Sequence, residues 1–208
     1  MHKNGSLIRR GAVIAAGGAA ALVLAACGSN SGSSAGHGGH ATTSPTSSAS
    51  TAQGQYNAAD VAFAKGMIPH HRQAVEMAGL ALTRAESVEV KKLAGEVKKA
   101  QGPEIKTLSG WLTTWGEQVP AEGAMDHSAH GRGGMMTAEE MDKLKNSSGT
   151  AFDTAFMEMM IKHHEGAVAM AKTEKADGSF AEAKTMADSI ITSQTAEIAR
   201  MNDLLGRN

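Results

Sequence analysis

Residues 67–78 read MIPHHRQAVEMA and residues 160–171 read MIKHHEGAVAMA, so the chain contains nearly the same helix-length segment twice. The two segments lie 93 residues apart, and the same register aligns Asp60 with Asp153 without a gap. Self-similarity of this kind indicates one structural unit that occurs twice in the chain. The repeated unit is about 50 residues long, which is enough for a helical hairpin.

The spacing of apolar residues predicts that each unit is helical. Along residues 60–82 and again along residues 90–115, apolar side chains recur at intervals of three and four, as on the buried face of a packed helix. Pro103 lies inside the second of these segments, and we expect it to kink the helix or to split it near Gly102. The first unit is therefore predicted to be a helical hairpin with one irregular position.

The second unit predicts two further helices, near residues 150–175 and 179–205. Ser179 is the expected N-cap of the later helix, with Glu182 completing a capping box. Four helices in two similar hairpins predict an all-α fold, a four-helix bundle with approximate two-fold pseudosymmetry.

The connection between the two units, about residues 117–149, is rich in Met and His. His127 and His130 are three residues apart and are flanked by Met125, Met135 and Met136. The connection is either a second, looser metal site or a solvated loop. Near its end, Thr137 and Glu140 have the spacing of a capping box and predict a short helix.

The composition excludes several classes of protein. The 208-residue chain has 13 Met and 9 His but one Cys, a formal net charge of -1 and only 3% aromatic residues. A single cysteine can form neither an internal disulfide nor a cysteine-based zinc finger. A near-neutral charge with few aromatic rings argues against nucleic-acid binding. The scarcity of aromatic residues also disfavours a β-sandwich or barrel.

The N-terminus is predicted to direct export. Residues 1–26 combine a positive start with a short uncharged apolar stretch, as in a signal peptide. The stretch ends in Leu-Ala-Ala-Cys, which resembles a bacterial lipobox and makes Cys27 the expected lipid attachment site. The alternative is an ordinary cleaved signal with an incidental cysteine. Residues 27–55 lack large apolar side chains and are predicted to be a disordered tether that joins the anchor to the bundle domain, residues 56–208.

The repeated motif carries the chemistry. Met67, His70 and His71 are spaced so that one turn of helix places them on one face, and Met77 lies two turns beyond His70. The second copy repeats the set as Met160, His163, His164 and Met170. Any one of these residues alone would be read as part of an ordinary core. Four buried imidazoles together need polar partners, so the set as a whole indicates a metal site.

The ligand types favour copper. Thioether sulfur with imidazole suits soft ions, above all Cu(I), whereas zinc held by the four histidines is the less favoured alternative. A di-iron bundle would carry Glu-x-x-His motifs, and this sequence has none because Met stands three residues before each His pair. Four duplicated carboxylates could add oxygen ligands or orient imidazoles, or could be helix caps and solvated charges: Asp60, Asp153, Glu104 and Glu197.

These motifs resemble the bacterial domain-of-unknown-function 305 family. The resemblance covers residues 56–206 and is carried by the repeated Met-x-x-His-His, by residues 159–167 (MMIKHHEGA) and by residues 137–141 (TAEEM). It implies an exported, ferritin-like helical bundle and, in some members, copper binding and resistance. It also implies that the eight Met and His residues of the motif are the ligands. Pro69 replaces Lys162 beside the histidines, so the two halves need not be equal.

Three functions follow from these observations. The leading hypothesis is a copper-binding protein that is anchored at the outer face of the cell membrane and sequesters or relays the ion. The second is a metal oxidase on a ferritin-like bundle. The third is a metal-free module whose Met-rich face binds an unknown protein partner.

Overall fold

The computed structural model describes residues 55–123 and 132–207. The predicted signal peptide, Cys27, the tether up to residue 54 and the pair His127 and His130 lie outside the described residues. In the described part, five α-helices and one 3-10 turn follow one another: α1 (Ala58–Arg84), α2 (Val88–Thr114), the turn (Arg132–Gly134), α3 (Ala138–Asn146), α4 (Gly149–Asp177) and α5 (Ala181–Leu204). None of these helices is long and apolar enough to cross a membrane.

The predicted four-helix bundle of two hairpins is confirmed. Helix α1 packs on α2, α4 packs on α5, and the two hairpins meet where α1 contacts α4. The repeat is visible in the helix ends, because Arg84 and Val88 lie 93 residues before Asp177 and Ala181. The short helix α3 begins after Thr137 with the predicted capping box to Glu140.

The core has two parts that lie on either side of the histidines. The methionine-rich cluster contains the second half of α1 and the first half of α4, with the buried residues Met77, Met136, Met141, Met157, Met160 and Met201. The tryptophan cluster contains the first half of α1 and the second half of α4, with Phe63, Met67, Ile68, Leu108, Leu112 and Trp115. This exchange of halves means that α1 and α4 run antiparallel.

Two aspartates cap helices of the opposite hairpin. The Asp60 carboxylate on α1 accepts hydrogen bonds from the backbone N–H groups of Ser179 and Phe180 at the start of α5. Asp153 on α4 accepts the equivalent bonds from Glu86 and Ser87 at the start of α2. Because the first N–H groups of a helix have no partner within it, these carboxylates stabilise the helices and join the hairpins.

Two local predictions were wrong. Ser179 is not the N-cap of α5. Phe180 occupies that position and makes no side-chain cap bond. The N–H groups of Ser179 and Phe180 donate instead to the Asp60 carboxylate of α1. Leu82, at the end of the predicted apolar stripe of α1, is 57% exposed. The sequence left open whether Pro103 kinks or splits its helix, and α2 continues through it from Val88 to Thr114.

Candidate metal centre

The four motif histidines lie together in the middle of the core. His70 and His163 are 1% and 0% exposed, and their ring centroids are 3.7 Å apart with a 37° angle between the planes. Each ring lies 6.4 Å from the neighbouring imidazole on its own helix, His71 or His164. The antiparallel crossing of α1 and α4 thus brings two sequence-distant His pairs into one polar layer.

The outer histidines are each faced by a carboxylate of their own hairpin. His164 Nε2 is hydrogen-bonded to Glu197 Oε2 at 2.6 Å. Glu104 Oε2 lies 2.8 Å from His71 Nε2, but without the alignment of a hydrogen bond. Both carboxylates are about one-fifth exposed, whereas the rings are fully buried. A carboxylate therefore lies beside Nε2 of each outer ring, whereas Nδ1 of both rings is buried without a hydrogen-bond partner.

Most of the remaining imidazole nitrogens have no hydrogen-bond partner. His70 Nε2 contacts the Gly133 carbonyl at 2.8 Å, but its Nδ1 has no partner. Both nitrogens of His163 and the Nδ1 atoms of His71 and His164 are also buried without hydrogen bonds. Leaving a buried polar atom unpaired costs about 1–3 kcal/mol, so this layer is expensive unless something binds there.

Burial keeps the central pair neutral. Burial, followed by the charge of His71, lowers the pKa of His70 to about 3. Burial, followed by the charges of His70 and His164, holds the pKa of His163 well below its usual range. A neutral imidazole has a free nitrogen lone pair, which is the form that binds metals.

The four motif methionines lie on both sides of the histidines. Met67, Met77 and Met160 are fully buried, and Met170 is partly buried. Met77 and Met160 belong to the methionine-rich cluster, whereas Met67 and Met170 belong to the tryptophan cluster. Because α1 and α4 run antiparallel, each cluster contains one motif methionine from α1 and one from α4.

The weaker candidates occupy two kinds of position. Glu104 and Glu197 contact the outer histidines, whereas Asp60 and Asp153 accept hydrogen bonds at helix N-termini. Within residues 55–123 and 132–207, no three His, Cys, Asp or Glu side chains converge as a ready metal cage. Any site here would need the thioethers or a rearrangement of the rings.

Sequence reasoning missed three buried glutamines, Gln73, Gln101 and Gln194. Gln101 and Gln194 are buried one turn before Glu104 and Glu197, and their repetition in the same register was the available signal. Gln73 holds the connection against α1 through hydrogen bonds with the backbone of Met136. In the second copy, Gly166 stands at the position of Gln73 inside an otherwise matched segment. That difference was the signal that the contact with Met136 occurs in one half only.

Comparison with known proteins agrees with this architecture. Residues 60–205 match the family described as domain of unknown function, DUF305. The chain belongs to the DUF305 family. No match was found among curated proteins.

Solved DUF305 structures have the same fold. A protein of Streptomyces coelicolor, described as secreted, is 34% identical with a TM-score of 0.64, over 71% of this chain and 92% of that one. A DUF305 fragment from Deinococcus radiodurans is 27% identical with a TM-score of 0.65, over 76% of this chain and 100% of that one.

The copper protein CopM is a further structural relative. Its Cu(II)-bound form is 38% identical to this DUF305 chain with a TM-score of 0.62, over 70% of this chain and 94% of CopM. CopM has also been solved with Cu(I) and with silver. A protein similar to this chain over nearly its whole bundle therefore binds both oxidation states of copper and a second soft ion.

Proposed function

We propose that the protein binds copper, above all Cu(I), through the duplicated Met-x-x-His-His motif. The observation that carries the proposal is the close contact between the His70 and His163 rings, which are buried between two groups of thioethers and have mostly unpartnered nitrogens around them. Sequestration or relay of the ion requires no chemical step by the protein. Copper is then the cargo rather than a cofactor.

The donor set fits the ion. The Nδ1 atoms of His71 and His164 are buried and unpartnered, while carboxylates face their Nε2 atoms. Histidine ligands are commonly oriented in this way, with one nitrogen toward a carboxylate and the other free for the metal. We assign Glu104 and Glu197 this orienting role.

The thioethers favour Cu(I) over zinc. Sulfur ligands select soft ions, whereas a zinc site usually has four nitrogen, thiolate or oxygen ligands. Met67, Met77 and Met160 are fully buried beside the imidazole layer. The Cu(I)-, Cu(II)- and silver-bound forms of CopM support copper binding in general.

The test is anaerobic Cu(I) titration of a Cys27→Ser protein, since a free thiol would itself bind Cu(I). We expect uptake of Cu(I) with clear preference over Zn(II). A variant with His70, His71, His163 and His164 all changed to Asn should lose this uptake. Unchanged copper content in that variant would contradict the assignment.

The matched control uses histidines of the connection. A variant with His127→Asn and His130→Asn removes two imidazoles without touching the repeat. Retained uptake in this variant assigns binding to the duplicated motif, whereas loss of uptake would move the site to the connection.

We also propose that Cys27 attaches the protein to the outer face of the cell membrane, after removal of residues 1–26. The support is the lipobox-like end of the signal segment and the single cysteine at the required position. Cys27→Ser should move the protein from the membrane fraction to the soluble fraction. Mass spectrometry of the mature N-terminus checks the lipid directly.

A further inference from the structure

Residues 133–136, called the strap here, lie across the groove between α1 and α4. The Gly133 carbonyl contacts Nε2 of His70 at 2.8 Å. The adjoining glycine, Gly134, packs so closely on α4 that a Cβ atom would collide with the Lys162 carbonyl and approach the His163 backbone. The strap therefore contacts the His70 ring on α1 and the backbone next to His163 on α4.

Glycine is required at three positions of this contact. Gly133 and Gly134 have φ angles of 66° and 77°, which side chains rarely tolerate. On α4, a Cβ atom at Gly166 would collide with the Gly133 carbonyl. The close contact between the strap and α4 therefore depends on glycines in both the strap and the helix.

Gln73 fixes the far end of the strap. Its side chain accepts a 2.7 Å hydrogen bond from the Met136 N–H and donates a 2.9 Å bond to the Met136 carbonyl. Gln73 lies about one helical turn after His70 and one turn before Met77 on α1. Met136 is thus held at a defined level between a candidate imidazole ligand and a candidate thioether ligand.

The Met136 side chain points into the core. It is 3% exposed and belongs to the methionine-rich cluster with Met77 and Met160. In the register of the repeat, Gly166 aligns with Gln73, so α4 lacks the side chain that fixes Met136 to α1. Met136 is thus a buried thioether on the side of Met77 and Met160 that does not belong to the duplicated motif.

We propose that Met136 is a further thioether ligand, which the strap adds to the copper site on the side of Met77 and Met160. This inference rests on the proposed copper binding. It extends the ligand set beyond the repeat, because Met136 lies in the connection between the two units. It also gives the connection between the hairpins a role: the segment that closes the groove over the histidines also supplies a ligand.

The experiment compares Met136→Leu with Met201→Leu, both in the Cys27→Ser background of the full chain. Both residues are buried in the methionine-rich cluster, and the repeat has Leu108 at the position equivalent to Met201. Affinity for Cu(I) is measured anaerobically against a chromophoric chelator. We expect Met136→Leu to weaken binding at least about tenfold, the loss found even for residues that only support a ligand. Met201→Leu should bind as the parent does.

A second measurement avoids dependence on the variant fold. In the parent protein with ¹³C-methyl methionine, Ag(I) should shift the Met136 methyl resonance, which is assigned by its absence in Met136→Leu. An unshifted Met136 methyl, or equal Cu(I) affinity in the two variants, would overturn the inference. If only the four-histidine variant loses copper, this inference fails and the proposed function stands. If the parent binds no Cu(I), both fail.

Discussion

The centroids of the His70 and His163 imidazole rings lie 3.7 Å apart, with a 37° angle between the planes, although 93 residues separate them in the chain. Their positions correspond in the repeat, so the contact is one between two copies of the same position. It exists because α1 and α4 cross antiparallel at this level. The closeness of two buried imidazoles has consequences for stability as well as for metal binding.

The metal-free protein should lose stability in acid. The unfolded pKa of histidine is 6.5 and the folded pKa of His70 is about 3, lowered first by burial; the pKa of His163 is shifted in the same direction. The unfolded chain binds more protons between these values, so the free energy of unfolding falls as the pH drops through this range. Denaturant titrations from pH 6.5 to pH 3.5 measure it. A double variant with His70→Gln and His163→Gln should depend less on pH, and identical profiles would contradict the explanation.

Glu174 should make the free energy of unfolding fall as the pH rises, which is the opposite of the effect of the histidines. Burial, followed by the neighbouring Asp60 carboxylate, raises the pKa of Glu174 from 4.5 to about 8, with Lys184 opposing the shift. The folded state then holds a proton that the unfolded state has released. Stability is therefore lost as the pH rises from 4.5 through 8. Between pH 6.5 and pH 9, Glu174→Gln should flatten the decline that the parent shows. A decline of equal slope in both proteins would refute the assignment.

Asp60 should contribute to the stability of the fold and not to copper binding. Asp60→Ala removes the acceptor for the Ser179 and Phe180 N–H groups, and loss of an N-cap costs about 0.5–2 kcal/mol. We expect a destabilisation of this size with unchanged copper content. The exposed Asp142 offers a control, since Asp142→Ala removes a carboxylate from α3 without such bonds. Loss of copper from folded Asp60→Ala would instead make Asp60 a ligand.

Gly166→Ala should force the strap away from α4. The added methyl would occupy the place of the Gly133 carbonyl, and overpacking of this kind costs about 1–3 kcal/mol. Amide hydrogen exchange at Met136, whose N–H is bonded to Gln73, should accelerate. Gly95→Ala is the matched control: Gly95 is an exposed helical position with open space around it, where alanine gains about 0.5–1 kcal/mol. Slow exchange at Met136 in Gly166→Ala would mean that the strap adapts in place.

Local patterns in the sequence were sufficient for the helices. Spacings of three and four predicted where the apolar faces lie, and the capping box at Thr137 and Glu140 is present in the structure. The repeat predicted two equivalent hairpins, and the turn of each hairpin keeps the 93-residue offset, from Arg84 and Val88 to Asp177 and Ala181. These properties depend on residues within a few turns of one another, or on a comparison of the chain with itself. The assignment of the eight motif residues as ligands stays a prediction.

The sequence by itself determined the helices, the duplication and the face on which the Met-x-x-His-His residues stand. Only the tertiary structure decided that α1 and α4 cross antiparallel, so that His70 meets His163 and the thioethers divide between two clusters. It also decided that Asp60 caps a helix 120 residues away and that the strap closes on His70. The physical reason is that a buried polar atom takes its partner from whichever segment packs against it. Helical periodicity specifies the buried face but not its neighbour.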